Sequence, residues 1–431
     1  MARDASRSSA RPRRLFVASE LMHPELTSTG YYVSAIARHL AVDRPVTVLC
    51  GQPTYSAWGT RAPRREQWHG VEIRRCRGTT FDKNHLAGRL TNMLTLGLSA
   101  FAAALGQLRR GDVVLVVTNP PVLPLLVALA CWCRGAIYVP VIHDQYPDIL
   151  VAVAGLSERS LVVRVLRAVN RRLFAGAHRI VVVGRDMRER LARHYPGVEA
   201  KVDVVPNWAE ADTVTPSARD GNALAARLGL EGAFVLLYAG NLGRAQELAT
   251  LIEGAARLSD DPRVHLLVVG DGAGRTWLER EVQARGLRNV TLLGPRPRPE
   301  QQEFLAACDV GLVPLVAGMW GVSVPSRLYN FLAAGRPVIG VVEPGSEVDR
   351  VVREHGVGWS VRPGDVAAFV AAVRDAASDP SRLAVMGRRA RLAVDAHYAG
   401  PPSLAGYRAL VREAFADAPD AIAICEGTGS V

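Results

Sequence analysis

Short apolar, β-branched segments alternate with longer segments of helical pattern along nearly the whole chain, and this alternation constrains the fold most. The segments VVLVV at 113–117 and FVLLY at 234–238 are continuously apolar, which favours strands covered on both faces. Because helical stretches separate successive strands, we expect parallel sheets with right-handed crossovers. The pattern predicts strands at 15–19, 46–50, 71–76, 113–118, 137–143, 180–184, 234–240, 264–270, 290–294, 310–315, 338–342 and 358–361.

The predicted strands form two groups, each about the size of one doubly wound unit. We therefore predict an α/β fold with two Rossmann-like domains that face each other across a cleft. The polar stretch 208–232 has no strand pattern and is predicted to link an N-terminal domain at 15–207 to a C-terminal domain at 233–378. Residues 1–14 are rich in arginine and serine and are predicted to be a disordered tail.

Positive charge is concentrated in the first half of the 431-residue chain. Residues 1–200 hold 28 Arg and Lys against 14 Asp and Glu, a balance of +14, whereas residues 201–431 hold 24 against 27, a balance of −3. A basic half suits an anionic partner such as a membrane face, and a solvated arginine-rich surface explains it equally well. We do not expect nucleic-acid binding, because the sequence has no recognition helix, aromatic platform motif or basic repeat.

The cysteines and the apolar segments bear on the compartment. The six cysteines are scattered without a CxxC pair, so they indicate neither a zinc ribbon nor a disulfide framework, and we expect a cytoplasmic protein. The longest apolar run, 113–133, contains Asn119 and three prolines, which favours a strand and a buried helix over a membrane span. The stretch 86–108 is typical of a core helix or of a helix that docks on the inner face of a membrane.

Ligands of doubly wound sheets bind where the strands end, so the loops at those ends hold the candidate sites. The loop after the first strand leads into a helix start of small residues, whose free amides suit an anion or sugar hydroxyls. Its candidate acceptor-binding residues are Glu20, Thr29 and Gly30. After the fifth strand, His143 and Asp144 form a polar pair at the ligand-binding edge, and we take them as candidate catalytic residues.

Glycine-rich turns follow two strands of the second half. Glycines let the backbone approach a ligand closely, and the arginine in the first turn offers a guanidinium to a phosphate. The first turn is not a Walker A loop, because it lacks the GKS or GKT ending. The candidate donor-binding residues in these turns are Gly240, Asn241, Gly243, Gly270 and Gly272, and Arg244 is a candidate catalytic residue.

The stretch MWGVSVPSRLYNFLAAGRPVI at 319–339 is the most informative. A polar loop leads into a helix predicted to begin near Ser326 and to close at a glycine, and Gly321 and Ser323 of that loop are candidate donor-binding residues. Ser326 as N-cap and Arg327 in the first turn suit a pyrophosphate group. Trp320 offers a flat apolar face to a sugar ring, or else only fills the cleft.

This stretch, the preceding LLGPRPRPEQQEFLAACDVGLVPL and the opening FVASELMHPELTSTGYYVSAIARHLA resemble the retaining GT-B glycosyltransferases of the glycogen-synthase-like family. The resemblance covers about 14–395 and is strongest to a bacterial subgroup that transfers amino sugars. It implies that Arg296 also binds the donor and that helices at about 380–416 pack back on the N-terminal domain. It also implies catalysis without a metal ion, in agreement with the absence of an Asp-x-Asp triplet.

The sequence departs from the family at several positions. Where the family has two glutamates eight positions apart, this chain has Val322 and Asn330, the latter at the position that binds the nucleotide ribose. Asn241 and Gln246 stand where the family has two cations on the pyrophosphate, so we expect other arginines to replace them. The replacements that we predict are Arg244 and Arg327, which we therefore take as candidate catalytic residues. A non-catalytic homologue is an alternative.

The resemblance implies an enzyme that moves a hexose or an amino sugar from a nucleoside diphosphate, with UDP expected, to a hydroxyl acceptor with retention of configuration. The C-terminal domain would hold the donor, and the N-terminal domain a small-molecule, lipid-linked or glycan acceptor of polysaccharide or secondary-metabolite biosynthesis. No cofactor is expected. An epimerase or a carbohydrate phosphorylase on the same fold is the alternative, but we find neither paired acid/base carboxylates nor a suitable cofactor-anchoring lysine.

Overall fold

The computed structural model of the protein describes residues 12–53, 61–81 and 86–418, so the predicted tail at 1–14 lies outside it up to residue 11. Contacts divide the chain into two compact units. The first comprises Met1–Ile142, Val169–Val181 and Gly406–Val431, and the second comprises His143–Ala168 and Val182–Ala405. The predicted linker at 208–232 lies within the second unit, and its role as a domain boundary stays a prediction.

The first sheet has eight strands in the order β3-β4-β2-β1-β5-β6-β7-β8. The bounds are β1 Leu15–Ala18, β2 Val46–Cys50, β3 Arg65–Trp68, β4 Val71–Arg75, β5 Val113–Val117, β6 Ile137–Ile142, β7 Ile180–Val182 and β8 Val202–Val204. The parallel pairing expected from the sequence is confirmed for β1, β2, β4, β5 and β6. The strand β3 was not predicted, and it runs antiparallel to β4 because a tight turn at His69 and Gly70 joins this half-exposed, polar edge strand to β4.

Helices flank the strands in the first part of the chain. Their bounds are α1 Ser28–Leu40, α2 Leu86–Gln107, α3 Val122–Arg134, α4 Asp148–Ala154, α5 Leu161–Gly176 and α6 Arg185–His194. Thr27 caps α1 by accepting a hydrogen bond from the amide of Gly30, and α2 packs along α3. None of the helices in the described part of the chain is long and apolar enough to span a membrane.

The second sheet has six strands, all parallel, in the order β11-β10-β9-β12-β13-β14. The bounds are β9 Phe234–Ala239, β10 Val264–Val269, β11 Val290–Leu293, β12 Val310–Pro314, β13 Val338–Val341 and β14 Gly358–Val361. Each bound lies within one residue of the prediction. The strand order reverses between β9 and β12, and this switch point is where an open α/β sheet binds its ligand.

The second unit also contains the helices α7 Ala223–Arg227, α8 Leu248–Arg257, α9 Arg275–Ala284, α10 Gln301–Ala306, α11 Arg327–Ala333, α12 Glu347–His355, α13 Val366–Ser378 and α14 Pro380–Ala393, and the chain closes with α15 Gly400–Ala416. Leucine, valine and isoleucine side chains of the sheet pack under α8 and α13 around Phe369. Gly311 in β12 holds α11 close to the sheet, because a Cβ there would lie 2.3 Å from the ring of Phe331. This packing fixes the start of α11 beside the switch point.

Candidate functional site

The loops that follow β9 and β10 pack against each other at the switch point. The amide of Leu242 donates to the carbonyl of Asp271 at 2.9 Å, and the amide of Gly240 donates to Val269. Gly270 makes this possible, because its φ is +150° and a Cβ there would lie only 1.9 Å from the carbonyl oxygen of Gly240. The two glycine turns that the sequence singled out therefore form one backbone surface.

Arg327, the first residue of α11, lies over this surface. Its guanidinium carbon stands 4.3 Å from the ring centroid of Tyr238, and a Cβ on Gly240 would lie 3.2 Å from its Nη2. The Tyr238 hydroxyl donates to the carbonyl of Asn241 at 2.5 Å, which holds the ring in place. Nη1 of Arg327 is buried and has no hydrogen-bond partner among the residues that the structure describes. A half-buried guanidinium with a buried, unpartnered nitrogen is suited to an anionic group.

The other predicted donor residues lie in different surroundings. Arg244 is exposed and lies four residues before α8, so it is not at a helix start as expected. Arg296 pairs with Glu300 at 2.7 Å. Asn330, the expected ribose position, is buried, and its side-chain oxygen accepts a hydrogen bond from the amide of Glu210 at 3.2 Å.

The segment after β6 lies against the loop 319–324 within the second unit. Asp144 and Ser323 form an isolated antiparallel β-bridge, and the amide of Gln145 donates to the carbonyl of Val322 at 2.8 Å. Burial raises the pKa of Asp144 to about 6, while its hydrogen bond with Ser323 acts in the opposite direction. Burial lowers the pKa of His143 to about 4, so this imidazole is neutral at neutral pH.

Trp320 faces a cavity of about 640 Å³ that is also lined by Glu343 and Arg362. Its indole N–H donates to the carbonyl of Gly345 at 3.0 Å, and the guanidinium of Arg193 lies 4.4 Å from its ring centroid. The indole thus lies among loops that follow β12, β13 and β14. Contact between this loop and a sugar stays a prediction.

Asp186, at the start of α6, was missed in the sequence. Its carboxylate accepts hydrogen bonds from the amides of Gly321 at 3.1 Å, Glu347 at 2.9 Å and Met187 at 2.8 Å. Burial raises its pKa to about 6. It fixes the conformation of the loop 319–324, where Gly321 has a φ of +67°. The signal that could have found it is its place four residues after the end of the buried strand β7.

A buried charge cluster, not identified from the sequence, is centred on Asp148. Its carboxylate lies 3.0 Å from Arg167, 3.1 Å from Arg190 and 3.3 Å from His194. Burial alone would raise the pKa of Asp148, but the hydrogen bond with His194 and the neighbouring positive charges outweigh it and hold the pKa well below its usual range. Arg190 also donates to the carbonyl of Trp320 at 2.8 Å, which joins the cluster to the loop 319–324.

The predicted acceptor residues lie in the first unit. The amide of Glu20 donates to the carbonyl of Asn119, and its own carbonyl accepts from Gly51 at 3.1 Å. Gly30 is buried inside the first turn of α1, where a Cβ would lie 2.9 Å from the carbonyl oxygen of Glu25. Thr29 is partly exposed beside it. Glu20 and Thr29 thus lie at the carboxyl edge of the sheet. Glu20 follows the end of β1, and Thr29 lies at the start of α1.

Two doubly wound, mainly parallel sheets, the second with an arginine and glycine loops at its switch point, are the architecture of the GT-B class of glycosyltransferases. Residues 28–208 match the glycosyl transferase 4-like domain, and residues 223–393 match the family of glycosyl transferases group 1. The chain therefore belongs to the GT-B glycosyltransferases, and the expected fold class is confirmed.

The relatives agree with this assignment over most of the chain. The protein named "Probable glycosyltransferase WbjE" of Pseudomonas aeruginosa is 29% identical over 93% of this chain and 98% of its own. WcaI of Escherichia coli K12, named for colanic acid biosynthesis, is 28% identical over 86% of this chain and 94% of its own. The chain is thus similar to bacterial glycosyltransferases over nearly their full length.

Solved structures share the fold at low sequence identity. Sucrose-phosphate synthase of Thermosynechococcus elongatus superimposes with a TM-score of 0.73 at 17% identity, over 94% of this chain and all of that one. Anabaena HepE, solved in complex with UDP-glucose, has a TM-score of 0.70 at 16% identity, over 93% of this chain and 99% of its own.

Proposed function

We propose that this glycosyltransferase takes a hexose or an amino sugar from a UDP-sugar and passes it to a hydroxyl acceptor with retention of configuration. The observation that carries the proposal is the half-buried Arg327, whose buried and unpartnered Nη1 lies beside the glycine loops at the switch point of the second sheet. A diphosphate is an anion of the size and charge that such a donor recognises. That HepE was solved with UDP-glucose supports the choice of nucleotide.

In this proposal the side chains stabilise charge instead of forming a covalent intermediate. When the bond between the sugar and the diphosphate breaks, negative charge grows on the leaving phosphate, and Arg327 with the exposed Arg244 would offset it without a metal ion. The acceptor hydroxyl attacks on the face that the diphosphate leaves and gives its proton to the leaving phosphate oxygen. The protein then acts mainly by positioning the two substrates.

His143 and Asp144 are the residues that we assign to the sugar end of the site. His143 is neutral, so its imidazole can donate or accept a hydrogen bond with a sugar hydroxyl. The bridge between Asp144 and Ser323 holds this segment against the loop 319–324. We assign Glu20 and Thr29 of the first unit to the acceptor.

The test is replacement of Arg327 by alanine and by lysine. Loss of a direct charged contact to the diphosphate should remove about 2–4 kcal/mol of transition-state stabilisation, or about 30- to 1,000-fold in kcat/KM. The measurement is UDP release from a panel of UDP-sugars, together with calorimetric titration by UDP. The control is Arg257→Ala, which removes an arginine of α8 paired with Glu253. Wild-type UDP affinity in Arg327→Ala would refute the assignment.

We further propose that the first unit docks on an anionic membrane face. α2 exposes three leucines at four-residue spacing, Leu90, Leu94 and Leu98, each 47–58% exposed, and the adjoining α3 exposes Trp132. Such a row of apolar side chains on a basic half of the chain fits the interface of an anionic bilayer. Arg89, exposed on α2, adds positive charge to the same helix.

Flotation with vesicles of phosphatidylglycerol and phosphatidylcholine tests this proposal. The wild-type protein should float with the vesicles at low salt, and the Leu94→Glu/Leu98→Glu variant should stay in solution. The control is Leu392→Glu, which changes an exposed leucine of α14 in the second unit. Equal flotation of all three proteins, or none by the wild type, would contradict docking through α2.

A further inference from the structure

The first unit contains a second cavity, of about 570 Å³, at the carboxyl ends of β2 and β4. Residues of the segments 52–53, 61–64 and 75–80 line it. Four of its lining side chains are arginines, namely Arg61, Arg64, Arg75 and Arg77. We call it the arginine pocket. The loops at the carboxyl edge of a parallel sheet are where such folds bind their ligands, so the position of the pocket is that of a binding site.

The charges around the arginine pocket are not balanced. Residues 61–77 contain six arginines and only two glutamates, Glu66 and Glu72. Glu66 pairs with Arg75 at 2.8 Å, and Glu72 pairs with Arg74 at 2.7 Å. Within the described ranges 12–53, 61–81 and 86–418, the remaining lining arginines, Arg61, Arg64 and Arg77, make no ion pair. Three unpaired guanidiniums at one cavity attract an anion.

The wall of the pocket is held by a buried arginine. Arg75 has a side chain that is 1% exposed, and it donates to the carbonyl oxygens of Pro63 at 2.6 Å and His23 at 2.7 Å. Gln52 makes a reciprocal pair of hydrogen bonds with the backbone of Ala62, both 3.1 Å. The hydrogen bonds of Arg75 and Gln52 therefore hold the segment that contains Arg61 and Arg64 against the end of the sheet. A pre-organised wall reduces the entropy lost when a ligand binds.

The pocket adjoins α2, the helix that carries the exposed leucines. The amide of Arg77 donates to Ser99 at 2.8 Å, and the amide of Thr79 donates to Thr95 at 3.0 Å. A Cβ on Gly51 would lie 3.4 Å from the side chain of Leu96, and one on Gly78 would lie 3.5 Å from its Cα, so both glycines face this part of α2. One face of α2 thus packs on the pocket loops. An apolar surface and an anion pocket stand side by side in the unit to which we assign the acceptor.

We propose that the arginine pocket binds a phosphate group carried by the sugar acceptor, so that the acceptor is a phosphorylated molecule. This inference rests on the proposed function, because it identifies the chemical class of the acceptor. The guanidinium fork matches phosphate oxygens in pairs, which a neutral sugar cannot provide. The phosphate can belong to a lipid carrier or to a soluble phosphate ester, and the length of an attached alkyl chain distinguishes the two.

The experiment is calorimetric titration of the full chain with n-butyl phosphate and n-decyl phosphate, with UDP at saturating concentration so that the donor site is occupied. The variant is Arg61→Ala/Arg77→Ala, in which both residues are exposed. The control is Arg109→Ala/Arg110→Ala, which removes the same charge from an exposed stretch elsewhere in the first unit. A separate titration of each protein with UDP reports the donor site.

We expect both alkyl phosphates to bind the wild-type and control proteins, and to bind Arg61→Ala/Arg77→Ala at least about ten-fold more weakly, with unchanged UDP affinity. Tighter binding of the decyl compound indicates a lipid-linked acceptor, and equal binding indicates a soluble phosphate ester. Equal binding to wild type and variant, or no binding to wild type, overturns the proposal. If the alkyl phosphates bind but UDP does not, the assignment of the donor site is wrong, while the assignment of the arginine pocket to a phosphate group is supported.

Discussion

Replacing Gly270 by alanine should separate the two glycine loops at the switch point. A Cβ at this position would lie 1.9 Å from the carbonyl oxygen of Gly240, and the atom that it meets belongs to the backbone, which cannot turn aside like a flexible side chain. Ordinary contacts between carbon and oxygen are more than an ångström longer. The loops after β9 and β10 must therefore move apart.

The size of the effect follows from what that movement breaks. The bonds from Gly240 to Val269 and from Leu242 to Asp271, both 2.9 Å, connect the two loops, and each contributes about 0.5–1.5 kcal/mol. The φ of +150° adds about 1–3 kcal/mol of backbone strain for a residue with a Cβ. We expect Gly270→Ala to lower the free energy of unfolding by about 2–6 kcal/mol and to weaken UDP binding.

The matched control is Gly286→Ala. Gly286 also has a positive φ, +61°, but its Cβ would meet nothing within 4 Å, so only backbone strain of about 1–2 kcal/mol is expected. The assay is urea unfolding followed by tryptophan fluorescence, with UDP titration of the folded proteins. If Gly270→Ala is no less stable than Gly286→Ala, the packing of the two loops is not what requires the glycine.

Two further predictions concern pH. Because the pKa of Asp144 is about 6, a site that needs its carboxylate should gain activity as the pH rises through 6, and Asp144→Asn should remove that inflection from the kcat/KM profile. The pKa of Asp186 is about 6 in the folded protein, above its usual value of 3.8. Between these two pH values the folded state therefore holds a proton that the unfolded state has lost. The free energy of unfolding should fall as the pH rises through 6. Asp186→Asn should flatten that fall in urea unfolding measured from pH 4.5 to 7.5, and an unchanged slope would contradict the assignment.

The strands of the second sheet could be predicted to within one residue, because continuous apolar runs such as FVLLY leave little choice for a buried parallel strand. The strands β3 and β8 could not be predicted from the sequence. β3 is polar with alternating exposure, and β8 has only three residues, so neither carries enough apolar pattern to stand out from a loop. Strand prediction succeeded where burial on both faces dictates the residue type.

The candidate site was predictable in its loops but not in its contacts. The order of strands and loops pointed to Gly240, Gly270 and Arg327, which lie together. No local pattern could show that Asp186 accepts hydrogen bonds from Gly321 and Glu347, since these residues are more than 130 positions away in the sequence. A local pattern also could not show that the amide of Glu210 donates a hydrogen bond to the side chain of Asn330, because this contact depends on the path of the stretch after β8 past α11.

The hydrogen bonds of Asp186 also decide how this protein can be divided. They close loops of 135 and 161 residues, and the bonds between Arg185 and Glu347 close one of 162. Closing such loops is entropically unfavourable, but the penalty grows only slowly with length. A fragment that begins at residue 208 would lack Asp186 and leave the amides of Gly321 and Glu347 without their acceptor. During synthesis, the segment around α6 is made more than a hundred residues before Gly321 and Glu347. Asp186 can therefore form these hydrogen bonds only after most of the second unit has been synthesised.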